Sequence, residues 1–428
     1  MRAGVIGAGY VGLTSAVCLA ERGHDTVCVD VDAERVGRLS RGVAHLDEPD
    51  LAELLVEGLE ARTVRFTTEY AALADRDVVF ICVSTPSGPD GSADLRAVDA
   101  AVAELAEVLA PGAVVAVKST VPAGTTRQVA ERLRDRKIRA VSNPEFLRES
   151  HAIHDFRHPD RILIGSDDAE TADLVAKLYP EAPTLVTSPE SAEVAKYASN
   201  AFLAVKISYT NSLARLCAAV GADIDDVTGC MGADPRIGPA FLSPGPGWGG
   251  SCLPKDTAAL LHVGHQHGVD LPEVAAARRT NAAQVERIVD ALSRRLTTPL
   301  GAARITALGL AFKAGTSDVR DSPALTICAE LARRGAQITG YDPRLGRIDP
   351  ATLSRSSIVA VDDPYLAAKD ADAIVVLTEW PEFRELDWRL IAEQAPGAVV
   401  VDTRNLLDAA APIDAGLTYL GNGIASGY

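Results

Sequence analysis

Val5-Ile6-Gly7-Ala8-Gly9-Tyr10-Val11-Gly12, residues 5–12, decides how the N-terminal part of this chain folds. The short apolar run from Ala3 to Ile6 predicts a strand buried in a parallel sheet. Gly7, Gly9 and Gly12 follow as G-x-G-x-x-G. In that pattern the first glycine permits a tight turn, the second admits a pyrophosphate close to the backbone, and the third lets the next helix pack on the strand. A helix is predicted over 11–21, with Gly23 as its stop. Its N-terminus offers N–H groups and a positive dipole end to phosphate. A second strand over 26–29 ends in Asp30, 18 residues beyond Gly12 and close to the spacing at which an acid bonds a ribose 2′-hydroxyl. A carboxylate there repels a 2′-phosphate, so the predicted cofactor is NAD rather than NADP. Arg35, nearby, pulls the other way.

At 428 residues the chain has room for two or three domains. Hydrophobic residues make up 47% and charged residues 23%, ordinary values for a globular protein. The seven cysteines are scattered, without C-x-x-C or metal-ligand spacing, and most lie in apolar runs as small core residues. That usage fits a reducing cytoplasm. No run of about 20 apolar residues exists, so no membrane span is expected. A net charge of −16 argues against a general nucleic-acid binder. The histidines, His262, His265 and His267 among them, lack acids at ligand spacing, so no metal is expected.

The strand pattern of the N-terminal region recurs near the C-terminus. HDTVCVDVD (24–32) has a counterpart in AQITGYDP (336–343), DVVFICVSTP (77–86) in AIVVLTEW (373–380), and GAVVAVKST (112–120) in GAVVVDTRN (397–405). Even the first strand has a partner in RITALGL (304–310), without the three-glycine loop. The expected fold is therefore α/β: two Rossmann-like parallel-sheet domains joined by a long central helix. That helix is capped by Thr187 or Ser188, carries Pro189 and Glu190 in its first turn, and meets no breaker before Gly221. Phe202, Val205, Tyr209 and Leu213 recur on it at helical spacing, which favours a dimer interface over a plain strut.

A second landmark is Gly247-Trp248-Gly249-Gly250-Ser251-Cys252. A nicotinamide site alone points to oxidation of an alcohol to a carbonyl. A thiol added to it points to capture of that carbonyl and a second oxidation, to an acid. Such a thiol must be activated by its surroundings. Read alone, Cys252 is equally a small buried residue. Lys196 and Asn200, four apart at the start of the long helix, share a face and could donate to a developing oxyanion; alone, such a lysine is a solvated charge. Glu145 and Glu149 are also four apart, and a helix beginning over 146–150 would turn both one way.

These residues resemble the nucleotide-sugar dehydrogenase family, which includes UDP-glucose 6-dehydrogenases and GDP-mannose dehydrogenase. The matching motifs, in the family's order, are GAGYVGL (7–13), VSTPS (83–87), DGSADL (90–95), KSTVPAGTT (118–126) and NPEFLRE (143–149). HPDRI (158–162), AKYASNAF (195–202), DPRIG (234–238), GWGGSCLPKD (247–256), LGLAFK (308–313), DVRDSPAL (318–325) and TRN (403–405) follow. YVGL and DGSADL look more like the UDP-glucose branch, whereas Trp248 stands where the family often has another aromatic residue.

The resemblance implies three regions: an NAD-binding domain over 1–187, a helical dimerisation region carrying the cysteine loop over 188–300, and a nucleotide-binding domain over 301–428. It implies four-electron, NAD-dependent oxidation of UDP-glucose to UDP-glucuronate in a cytoplasmic homodimer. Cys252 is then the nucleophile, with Lys196, Asn200, Asp256, Glu145 and Thr120 as its catalytic companions. Glu145 is the implied base for thioester hydrolysis; the first-step base stays open among Lys196, Asp256 and a water. Cofactor contacts are implied for Gly7, Gly9, Tyr10, Val11, Gly12, Asp30, Arg35, Ser84, Thr85, Pro86, Thr120, Glu149, Lys255 and Arg320. Substrate contacts are implied for Glu145, Phe146, Leu147, Arg148, Glu149, Lys196, Asn200, Gly249, Lys313 and Arg404, with Arg236 supplied across the dimer. Three alternatives stand beside this reading: another nucleotide sugar (GDP-mannose or a UDP-N-acetylhexosamine), a two-electron dehydrogenase with an inert Cys252, and a non-enzymatic nucleotide sensor.

Overall fold

A computed structural model describes every residue except Glu181 and Ser426. The chain divides into two compact units, Met1–Ser199 with Ala258–Val269, and Asn200–Thr257 with Asp270–Tyr428.

The first unit is built on an eight-stranded sheet in the order β3-β2-β1-β4-β5-β6-β7-β8. Its strands are β1 (Arg2–Ile6), β2 (Asp25–Val29), β3 (Val64–Thr67), β4 (Val78–Ile81), β5 (Val114–Val117), β6 (Arg139–Ser142), β7 (Ile162–Gly165) and β8 (Thr184–Thr187). β4 and β5 read Val-Val-Phe-Ile and Val-Val-Ala-Val, and all eight residues are buried, as a strand covered on both faces requires. Every pairing is parallel except β6 with β7, which meet antiparallel at Ser142 and Gly165. The all-parallel expectation fails at that one junction.

The second unit carries a six-stranded, wholly parallel sheet: β9 (Arg304–Leu308), β10 (Gln337–Tyr341), β11 (Ile358–Ala360), β12 (Ala373–Val376), β13 (Val399–Asp402) and β14 (Thr418–Gly421). Its order, β11-β10-β9-β12-β13-β14, is the 3-2-1-4-5-6 order of the doubly wound nucleotide-binding fold. The repeat extends to the first turn. Gly7 N–H donates to Val29 O at 2.8 Å, and Gly309 N–H donates to Tyr341 O at 2.8 Å. Both glycines have positive φ, +92° and +89°.

The long helix spans Pro189–Val220, 32 residues, close to the predicted length. Ser188 Oγ accepts from Ser191 N–H at 3.3 Å, so the cap falls to Ser188, while Thr187 ends β8. Phe202, Tyr209 and Leu216, seven apart, remain exposed on it, whereas Val205 and Leu213 are half-buried. Among the described residues no helix is long and apolar enough to cross a membrane.

Candidate active site

In the first unit the glycine turn is shaped by close approach. A Cβ on Gly12 would lie 1.7 Å from Gly7 O, so only glycine lets the helix Tyr10–Glu21 start this near the strand end. Around Gly9 a Cβ would meet nothing within 4 Å, and Gly9 gives the helix no side-chain cap. A helix start whose donors lack a capping side chain, beside open space at a glycine, fits a pyrophosphate. Asp30 is buried at the end of β2. Its carboxylate accepts from Ala8 N–H at 2.6 Å and Asp32 N–H at 2.9 Å, and it pairs with Arg35 at 3.0 Å. Asp30 therefore engages Arg35, the residue that pulled toward NADP in the sequence. The Tyr10 hydroxyl is buried with no hydrogen-bond partner among the described residues. Burial first, then Glu48, Glu149 and Glu145, push its pKa far above the ordinary value.

The loops after β4 and β5 are tied together: Thr85 Oγ1 donates to Thr120 O at 2.8 Å and Ser119 Oγ to Val83 O at 2.6 Å. Thr120, in the loop after β5, is buried, while Ser84 and Pro86 are exposed. Glu193 accepts from Gly124 N–H at 2.6 Å and Thr126 N–H at 2.7 Å, which fixes the first turns of the long helix on the Thr120 loop.

Glu145 and Lys196 meet as a buried ion pair, Nζ to Oε1 3.0 Å, with the Lys196 ammonium also 5.2 Å from the Phe146 ring centre. Burial raises the Glu145 pKa, but Lys196 by charge and hydrogen bond, Leu147 N–H and then Lys118 outweigh it and hold the carboxyl below its usual value. A solvated-lysine reading of Lys196 is thus excluded, since it is 4% exposed. No helix forms over 146–150; the nearest begins at Ala152. The backbone is held as a loop instead. Glu145 accepts from Leu147 N–H at 2.6 Å, Arg148 binds Asp155 at 2.6 Å, and Glu48 accepts from Ser150 N–H at 2.8 Å. Ser150 has φ +68°, which a helix cannot accommodate. The shared helical face expected for Glu145 and Glu149 is therefore absent.

In the second unit, Cys252 is half-buried and immediately precedes the helix Leu253–Gln266. Its carbonyl accepts Asp256 N–H at 2.9 Å, and Ser251 Oγ lies 3.6 Å from its sulfur. The loop before it packs tightly on 312–323: a Cβ on Gly249 would lie 1.9 Å from Asp321 O. Trp248 is buried, its Nε1 donating to Ser208 at 2.9 Å and its backbone paired with Asn281, so it anchors the loop. Asp256 is fully buried. It accepts from Asn200 Nδ2 at 2.5 Å and pairs with Lys255 at 2.5 Å. Only the Asp256 end of that pair is fully buried; the Lys255 side chain keeps 25% of its exposure.

Arg404 is mostly buried, its Nε donating to Leu377 O at 3.1 Å beside Glu379. Lys313 Nζ lies 5.8 Å from the Phe312 ring centre. Arg320 forms an ion pair with Asp318 at 2.5 Å, and Arg236, strongly exposed, with Asp234 at 2.5 Å. His262 contacts Gln266 at 2.9 Å and Asp90 O at 3.3 Å, and among the described residues no cluster of three or more His, Cys, Asp or Glu could hold a metal. Glu48, Glu193 and Lys118 were not among the expected site residues. For Lys118 the signals were its place at the end of the apolar run AVVAV and at the start of KSTVPAGTT.

Three family models match the chain in order. The NAD binding domain of the UDP-glucose/GDP-mannose dehydrogenase family matches residues 1–182, its central domain 190–283, and its UDP binding domain 306–409. A UDP-glucose 6-dehydrogenase of Pseudomonas aeruginosa is 41% identical, covering 99% of this chain and 97% of its own. One of Rhizobium meliloti is 42% identical, covering 95% of each. The solved UDP-glucose dehydrogenase of Pyrobaculum islandicum superposes with a TM-score of 0.89 at 37% identity, covering 99% of this chain and 98% of that one.

Proposed function

The chain belongs to the UDP-glucose/GDP-mannose dehydrogenase family, and from that premise we propose that it oxidises the C6 alcohol of UDP-glucose to a carboxylate with two NAD. The observation that carries the substrate choice is the match to UDP-glucose 6-dehydrogenases over nearly the whole chain. NAD, when bound on the Gly7–Gly12 turn, supplies the acceptor for each two-electron oxidation. In this reading Cys252 adds as a thiolate to the intermediate aldehyde. The start of a 14-residue helix is the kind of environment that favours a thiolate. The thiohemiacetal is oxidised to a thioester, and water releases the acid and the free thiol. Glu145, held as a carboxylate by Lys196, takes the proton of that water. Lys196 and Asn200 donate to the developing oxyanion, Asp256 orients Asn200, and Thr120 orients the water. Phe146, Leu147, Arg148, Glu149, Gly249, Lys313 and Arg404 are assigned to the nucleotide sugar. Ser84, Thr85, Pro86, Asp30, Lys255 and Arg320 are assigned to the cofactor. The division at 187 and 300 belongs to the same reading.

We further propose a homodimer through the exposed Phe202, Tyr209 and Leu216 face, with Arg236 serving the partner's site. The experiment for the reading as a whole is a panel of UDP-glucose, GDP-mannose and UDP-N-acetylhexosamines, with NADH counted against sugar consumed. UDP-glucose giving two NADH per sugar supports it. Preference for another sugar, or one NADH with aldehyde as product, overturns it.

A further inference from the structure

Lys118, just after β5, is 4% exposed, and the chemistry above makes no use of it. Its ammonium donates to two neutral oxygens, Asn143 Oδ1 at 3.0 Å and Tyr179 Oη at 3.2 Å. It faces the rings of Tyr179 at 5.4 Å and Phe80 at 5.5 Å. Tyr179 Oη also donates to Asn143 Oδ1 at 3.1 Å, and Asn143 Nδ2 donates to Leu163 O at 2.9 Å. A buried cation bonded only to neutral groups is costly unless a carboxylate nearby balances it. The carboxylate two residues beyond Asn143 is Glu145. Two buried lysines therefore attend one buried carboxylate, one of them by direct contact and the other through space.

That surplus has a consequence for the proposed reaction. Whenever Lys196 turns its ammonium toward a developing oxyanion, or gives up a proton, Glu145 loses its direct counter-charge and keeps the neutral Leu147 N–H. A buried carboxylate left alone takes up a proton and is no longer a base. We propose that Lys118 is a positioning residue which, fixed by Asn143 and Tyr179, supplies Glu145 with a second counter-charge independent of Lys196. The inference rests on the reading of Glu145 as the base.

The other groups around Glu145 support this assignment. Leu147 N–H donates to it; Tyr10 and Cys82 feel its charge, and both are held neutral by burial. Glu48, Glu149 and Asp155 add negative charge around Tyr10, with Arg148 committed to Asp155. Arg161, 3.8 Å from the Phe146 ring centre, is a further cation beside this loop, while Lys196 and then Lys118 lower the Glu145 pKa.

The test compares the native enzyme, Lys118→Met, Lys118→Gln, Lys118→Arg and Glu145→Gln, each with NAD and UDP-glucose. Two readouts are taken: the infrared carboxylic-acid band of Glu145, assigned by its loss in Glu145→Gln, and the pH profile of kcat. In Lys118→Met or Lys118→Gln the band should appear, and the acid limb should move, to higher pH by about one unit. Lys118→Arg should restore both, and KM for NAD should not change. Lys118 is refuted as a positioning residue if the band titrates at the native pH in both neutral variants. A Glu145→Gln enzyme that keeps the native acid limb overturns the role of Glu145 itself, a separable outcome because the band does not depend on turnover.

Discussion

Replacing Lys196 by Met should reveal how strongly Glu145 depends on its partner. The two charges are 3.0 Å apart, and both side chains are less than a tenth exposed. At an effective dielectric of about 20 the attraction is roughly 5 kcal/mol. Desolvation offsets much of it, so the pair as a whole adds little net stability. Removing one partner differs, because it leaves a buried charge uncompensated, and costs about 3–5 kcal/mol. Lys196→Met is expected in the lower part of that range, since Lys118 remains; Glu145→Gln, which leaves two buried lysines, is expected in the upper part. The double variant should be more stable than either single one. The pH dependence has a definite sign. In the native protein the Glu145 pKa is lowered, so its stabilisation is present above the unfolded carboxyl pKa and lost as pH falls through the folded one. Without Lys196 the folded pKa rises, and the destabilisation should grow from acid toward neutral pH. A chain of two units need not unfold in one step, so the readout is amide hydrogen exchange of Val114–Val117, the buried strand leading to Lys118. Single-variant losses that add in the double variant, or a pH-independent penalty, would refute the reasoning.

Gly12→Ala should weaken NAD binding at least tenfold, about 1.4 kcal/mol, because its Cβ would meet backbone at 1.7 Å; fluorescence titration with NAD checks it, and unchanged affinity contradicts it. Asp30→Ser should release Arg35 from its 3.0 Å pair and remove the charge that repels a 2′-phosphate. The ratio of kcat/KM for NADP over NAD should then rise at least tenfold, and a ratio that stays put in steady-state assays removes Asp30 as the discriminator.

Where one local rule acted within a few dozen residues, the sequence was readable. Strand, glycine turn, helix and Asp30 each follow from a periodicity, a close approach or a charge, and the valine-rich repeats exposed the second sheet. Direction and long-range tethers were not readable. Nothing in Ile162-Leu163-Ile164-Gly165 says that β7 runs against β6, since an apolar run is the same in either sense. The 146–150 segment has acceptable helical residues, yet Glu48, 102 positions away from Ser150, holds it as a loop. Lys196 reads as solvated from its helix alone, because its partner is on a distant loop. The pairing of Lys255 with Asp256 was not readable either, because a pair between adjacent residues follows no helical spacing rule. The buried lysine Lys118 left a trace in the sequence as a charge that ends an apolar strand and opens KSTVPAGTT, neither of which shows what it faces.

The central claim is that the Cys252 sulfur becomes acylated by the sugar during turnover. Acid-quenching the Glu145→Gln enzyme during reaction with NAD and UDP-glucose, then measuring peptide masses, tests it most directly. The account predicts that the peptide containing Cys252 carries the acyl mass of the oxidised UDP-sugar, and that Cys252→Ser abolishes this adduct. An unmodified Cys252 peptide in an enzyme that still releases the sugar acid would contradict it.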